Sequence, residues 1–197
     1  MLSQLEGTDI YFLDMLMRGR LTPGMRILDA GCGGGRNIRY LLTQGFDISA
    51  VDINPDAIHK LRQLAPHLPK ENFRVESIGA MTFADASFDF IICNTILHFA
   101  SDDEEFERML KDLFRLLKPG GIFFARLATS IGIEDQIEPI RGRFARTLDG
   151  GERYLANAEL LHDFEQKYNL TPLDPLKTTI VENQRAMTTW VVSKPRI

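Results

Sequence analysis

Residues 27–37 read Ile-Leu-Asp-Ala-Gly-Cys-Gly-Gly-Gly-Arg-Asn, an apolar stretch with one carboxylate that runs into a cluster of glycines from Gly31 to Gly35. The stretch Met25 to Ala30, entered through the turn signal Thr22-Pro23-Gly24, has the composition of a buried strand. Ending that strand in glycine lets backbone approach a ligand closely, because a residue without Cβ accepts positive φ and leaves the space open. A helix expected from Arg36 or Asn37 would aim its free N–H groups at the same place and favour an anionic group there. Ile38, Leu41 and Leu42 fall on one face of that helix, and Gly45 is placed for a left-handed C-terminal cap.

Outward from this loop, Phe46 to Asp52 reads as a second strand, with Asp52 lying 21 residues beyond Gly31. From that position a carboxylate can accept both hydroxyls of a ribose, so two loops at one sheet edge converge on a nucleoside. Asn54 and Pro55 open the next helix, Ile58, Leu61 and Leu64 form its buried stripe, and Pro66 and Pro69 close it. Phe73 to Ser77 is a short strand, while Phe88 to Asn94 is the most apolar one and belongs near the middle of the sheet. Ser101 and Glu104 make a capping box for a helix that Pro119-Gly120-Gly121 ends, and Ile122 to Leu127 is the following strand. Residues 128–156 show weak periodicity and many charges, the pattern of a cap or lid. Asn157 starts a last helix through Tyr168, and Lys177 to Glu182 with Arg185 to Ser193 form an antiparallel hairpin.

The alternation predicts an α/β fold in one domain spanning residues 1–197, since this length supplies one sizeable core. A formal charge of −4 gives no footprint for a phosphate backbone and excludes nucleic acid as the expected partner. Cys32 and Cys93 sit in a glycine run and an apolar run, so neither disulfides nor a metal site is expected, and the reading is a cytoplasmic protein. No apolar run is long enough for a bilayer span.

A dinucleotide site is the main rival. Its fingerprint needs a third glycine for packing helix on strand, and that position is Arg36. The order of motifs resembles the class I S-adenosylmethionine-dependent methyltransferases instead. Residues 27–37 look like their first motif, Ala50 to Ile58 like the acidic second, Ala84 to Phe99 like the central strand and its loop, and Leu116 to Phe124 like the fifth-strand entry. The Gly-Arg-Asn ending at Asn37 is similar to small-molecule enzymes, including the tellurite-resistance methyltransferases. The resemblance implies a Rossmann-like three-layer sandwich, with a mostly parallel seven-stranded sheet and an antiparallel C-terminal hairpin. It implies S-adenosyl-L-methionine as cofactor, with Asp29, Gly31, Cys32 and Gly33 lining the methionine end, Asp52 on the ribose and Ile53 on the adenine, and with Asn37 and Asn94 among the cofactor-binding residues. Many relatives carry an acidic residue for the adenine amino group. Here Ser77 stands at that place, with the N–H groups of Ile78 and Gly79 to meet the ring.

On the acceptor side, Asn94, Thr95, His98 and Arg126 come from the ends of the fourth and fifth strands. His98 is the only candidate general base, although a histidine in such a turn often simply bonds to backbone; Arg126 is a candidate substrate ligand. The expected function is methyl transfer to an unidentified small molecule by a monomer or homodimer. A nicotinamide oxidoreductase and a cofactor-binding module without turnover are the alternatives.

Overall fold

The computed structural model describes residues 4–196. Along the chain come α1 (Ile10–Met17), β1 (Arg26–Ala30), α2 (Arg39–Thr43), β2 (Asp47–Asp52), α3 (Pro55–Leu64), β3 (Phe73–Val75), β4 (Phe88–Asn94), α4 (Asp103–Leu116) and β5 (Leu117–Thr129). Then follow β6 (Glu138–Arg141), β7 (Phe144–Arg146), β8 (Glu152–Tyr154), α5 (Ala158–Lys167), β9 (Thr171–Pro172), β10 (Lys177–Val181) and β11 (Arg185–Ser193). The main sheet has the order β10-β11-β5-β4-β1-β2-β3, so β4 is central as expected. β1 to β5 pair in parallel, and β11 turns back antiparallel on β5 with β10 beyond it.

Period-two alternation along the strands divides the core between two faces. Ile27, Ile48, Phe90, Ile92, Phe124 and Val191 pack under α1, α2 and α3. Leu28, Ile91, Cys93, Phe123, Ala125 and Trp190 pack under α4 and α5. This is the three-layer sandwich, with both faces of a largely parallel sheet covered.

Several local expectations need correction. The sheet has eight strands, because the two-residue β9 adds to β11. α2 starts at Arg39 rather than at Arg36 or Asn37. Gly31, Gly33 and Gly35 all have positive φ, and the Gly35 carbonyl must first accept the N–H groups of Ile38 and Arg39. Leu64, expected in the buried stripe of α3, is 56% exposed at the end of the helix. The cap of α4 is Asp102, one residue after Ser101; its carboxylate takes the Glu105 N–H, and Glu105 in turn accepts the Ser101 N–H. β5 begins at Leu117, ahead of the expected Ile122, while β3 ends at Val75. Residues 128–156 contain a separate three-stranded antiparallel sheet, β6-β7-β8, whose short charged strands carry little hydrophobic signal.

Candidate functional site

The carboxyl ends of β1, β2 and β4 open on a cavity of about 240 Å3 lined by Gly31, Asp52, Ile53, Glu76, Ser77, Ile78, Ile96, Phe99, Glu105 and Met109. Of the sequence-derived cofactor residues, Gly31, Asp52, Ile53, Ser77 and Ile78 meet here. Gly79 lies against Arg108 and Met109 on α4 and does not line the cavity. Glu76, Ile96, Phe99, Glu105 and Met109 were not singled out from the sequence. Ile53 and Phe99 are 75% and 67% exposed although apolar, so the cavity offers apolar side chains to a flat ring.

The glycine loop is held from within. Gly31 and Cys32 donate their N–H groups to the Val51 carbonyl, Gly35 donates to Cys32, and Gly33 donates to Asp52 Oδ2 at 2.7 Å. The expected row of free amides is therefore partly spent on fixing the loop. Gly31 has φ +76°, and a Cβ there would lie 2.3 Å from Ile96 Cγ1. Gly35 leaves room for Leu61 of α3, whose Cδ2 would lie 2.5 Å from a Cβ. Gly35 thus lets α3 pack closely on the glycine loop. Asp52 also accepts the Asn54 N–H through Oδ1, which fixes its carboxylate at the cavity wall.

Asp29 is buried with Oδ2 unpartnered, and Asn94 is buried with both Nδ2 and Oδ1 unpartnered. Burial raises the Asp29 carboxyl from its ordinary 3.8 to about 7; Arg36 opposes the rise and Asp52 adds to it. Burial also pushes the Cys32 thiol well up, and Cys32 sits in the core under α1. Asn37 turns away from the cavity, its Oδ1 accepting the Asp9 N–H at 3.1 Å and so docking the start of α1 on the loop. Thr95, at the tip of β4, has φ +64°, a strained conformation for a β-branched residue and one that clusters at functional sites.

His98 is buried in a short turn after β4, where Nδ1 accepts the Ala128 N–H at 3.2 Å. That bond puts the neutral ring's proton on Nε2, leaving it a donor rather than a base. Burial, aided by Arg153, lowers the ring's pKa to about 4. Arg126 pairs with the buried Asp9, Nη1 to Oδ2 at 2.6 Å, and lies over the Tyr11 ring with Cζ 4.8 Å from its centroid.

A cavity bounded by an acidic strand tip, a glycine loop and exposed apolar side chains defines a nucleoside-binding α/β protein. A model of the family described as Methyltransferase domain matches residues 28–125, and the chain belongs to this family, the class I S-adenosylmethionine-dependent methyltransferases. The chain is 34% identical over 103 residues to a 2-methyl-6-phytyl-1,4-hydroquinone methyltransferase of Synechocystis sp., covering 52% of this chain and 31% of that one. The chain thus spans less than half the length of this and other curated relatives. Among solved structures, a SAM-dependent methyltransferase of Methanosarcina mazei superposes with a TM-score of 0.72 at 23% identity, covering 92% of this chain and 98% of that one. A 1,6-didemethyltoxoflavin-N1-methyltransferase of Burkholderia thailandensis, solved with S-adenosylhomocysteine, gives 0.71 at 21% identity, covering 98% and 80%. These two likenesses establish the shared fold.

Proposed function

We propose that this protein is a methyltransferase that binds S-adenosyl-L-methionine in the cavity between the strand tips and passes the methyl group to a small molecule. The observation that carries the reading is Asp52 at the cavity wall, held by the Gly33 N–H of the glycine loop, together with the unpartnered buried polar atoms of Asp29 on β1 and Asn94 on β4, two of the strands whose tips open on the cavity. Buried polar groups are normally hydrogen-bonded, so these atoms fit the ammonium and carboxylate of an amino-acid tail. Asp52 is the ribose acceptor, Ile53 and Phe99 sandwich the adenine, and Ser77 with the Ile78 N–H meets its edge. Gly31 shapes the floor, Cys32 and Gly33 continue the loop beneath it, and Asn37 holds the loop from behind. Gly79 takes no contact with the ring in this assignment.

When bound, S-adenosyl-L-methionine supplies a sulfonium-activated methyl group. The protein's part is to hold the acceptor in line and exclude water, and positioning of this kind contributes ~7–11 kcal/mol. No residue at the strand tips is assigned as a base; an acceptor that arrives as an anion or free amine requires none. The sheet β6-β7-β8 serves as a lid over the α4 end of the cavity, to which Arg141 is tied through the Ser101 carbonyl. The acidic charge and the two buried, unpaired cysteines support a cytoplasmic, single-domain enzyme, monomeric or homodimeric, acting on a small molecule rather than nucleic acid. Calorimetry with S-adenosylmethionine and S-adenosylhomocysteine should give saturable binding of both. No heat with either at millimolar concentration, or tight binding of NADH in their place, would overturn the reading.

A further inference from the structure

Unpartnered polar atoms continue past Asn94 along the sheet. Arg126 Nε and Thr189 Oγ1 are also buried without a partner. Asn94 is the Cα partner of Arg126, and Arg126 of Thr189, so the three stand in one row across β4, β5 and β11. Two residues back on each strand, Ile92, Phe124 and Val191 belong to the core under α1, which puts the row on the face that α1 covers. Unmet buried donors and acceptors are costly, and three of them level across adjacent strands mark a place built for a ligand's polar group rather than for packing.

The guanidinium of Arg126 is fixed on two sides, by Asp9 at Nη1 and by the Tyr11 ring against its plane. Among the described residues it donates only from Nη1, so its Nε–Nη2 edge is left over. That edge is the one on which a planar carboxylate forms two parallel N–H···O bonds. A rigid, stacked fork loses little freedom on binding. The next cation along the row is Lys177, the register partner of Thr189, and it lies 3.7 Å from Asp14. With Lys177 matched by Asp14 and Arg126 already paired with Asp9, the row has no spare positive charge for a dianionic phosphate, and one guanidinium edge with one hydroxyl suits at most a singly charged planar group.

We propose that Arg126 and Thr189 anchor a carboxylate carried by the methyl acceptor, with Asp9 and Tyr11 as the residues that position the fork. This rests on the methyl-transfer reading and adds the chemical class of the substrate. The test uses protein saturated with S-adenosylhomocysteine, titrated by calorimetry with acetate, benzoate and phenylacetate, each against its neutral amide. At least one carboxylate should bind roughly tenfold tighter than its amide, the difference expected of charge-assisted bonds. Arg126→Lys keeps the charge but loses the fork and should abolish the preference. Thr189→Val should weaken carboxylate binding about fivefold while raising the thermal midpoint of the free protein, because a buried hydroxyl without a partner becomes a methyl. A merely structural threonine would not move those two readouts in opposite directions. Binding of S-adenosylhomocysteine with no carboxylate preference, or a preference unchanged in both variants, overturns this inference alone; failure to bind S-adenosylhomocysteine overturns the methyl-transfer reading as well.

Discussion

Replacing Asp29 by asparagine separates the stability of the empty protein from its hold on the cofactor. The carboxyl is buried with Oδ2 unpartnered, and burial takes its pKa from 3.8 to about 7. At ~1.4 kcal/mol for each tenfold change, keeping Asp29 ionised inside the fold costs ~4 kcal/mol above neutral pH. The sign follows from proton counting. Between these two values the folded protein holds a proton that the unfolded chain has released, so the contribution of Asp29 to stability falls as pH rises from about 4 to about 7, then levels. Asp29→Asn should remove that decline and leave the empty protein ~2–4 kcal/mol more stable than wild type at about pH 8, the range allowing for an amide that is itself unmet. Urea denaturation at steps from about pH 5 to about pH 8 measures both slopes. Binding should go the other way: S-adenosylhomocysteine, whose ammonium the proposed site sets against the ionised carboxylate, should bind wild type more tightly as pH rises to about 7, and Asp29→Asn weakly with little pH dependence. Parallel stability slopes for the two proteins would refute the buried-proton argument.

Gly31→Ala should cost ~2–4 kcal/mol of stability, because its Cβ would meet Ile96 Cγ1 at 2.3 Å at a φ of +76°; Ile96→Ala in the same chain should recover part of that loss in a denaturation cycle. Asp52→Ala should weaken S-adenosylhomocysteine binding by more than ~1 kcal/mol in calorimetry, and should also lower the melting midpoint, since the Gly33 and Asn54 N–H groups lose their acceptor. His98→Asn preserves an acceptor for the Ala128 N–H and should leave the pH profile of methyl transfer unchanged above about pH 5; the loss of an inflection there would make His98 a proton carrier.

What could be read along the chain was local chemistry. Asp52 and the glycine cluster follow consecutive strands, Asn54 caps α3 through the Asp56 N–H as its type and the following proline suggest, and the apolar run of β4 lies mid-sheet. What escaped was assembled from distant segments. Glu105 and Met109 reach the cavity from α4, and Phe99 from the turn before it, where helical periodicity distinguishes only core from solvent. The strands of the small sheet carry three or four residues each, too few for alternation to stand out. α1 went unread because its apolar residues do not form a clean stripe, and its cap, Asp9, finds its partners in Asn37 and Arg126, which lie 28 and 117 residues away.

The proposed acceptor side is the least legible part of the molecule for the same reason. Asn94, Arg126 and Thr189 are each unremarkable as polar residues on a strand, and only the register of β4, β5 and β11 brings them level. Each unmet buried atom costs ~1–3 kcal/mol, which is large against the 5–15 kcal/mol by which a domain of ordinary stability holds together. Packing alone would favour apolar side chains in this row, as at Phe124 and Val191 one step back on the same face. The switch from apolar to unsatisfied polar occurs at the carboxyl end of the parallel strands, the edge on which α/β sheets bind their ligands. A sheet that stays apolar until its ligand-binding edge and then leaves donors unmet has its stability lowered where binding can restore it, so cofactor and acceptor should each raise the melting midpoint more than their affinity for an already satisfied surface would allow.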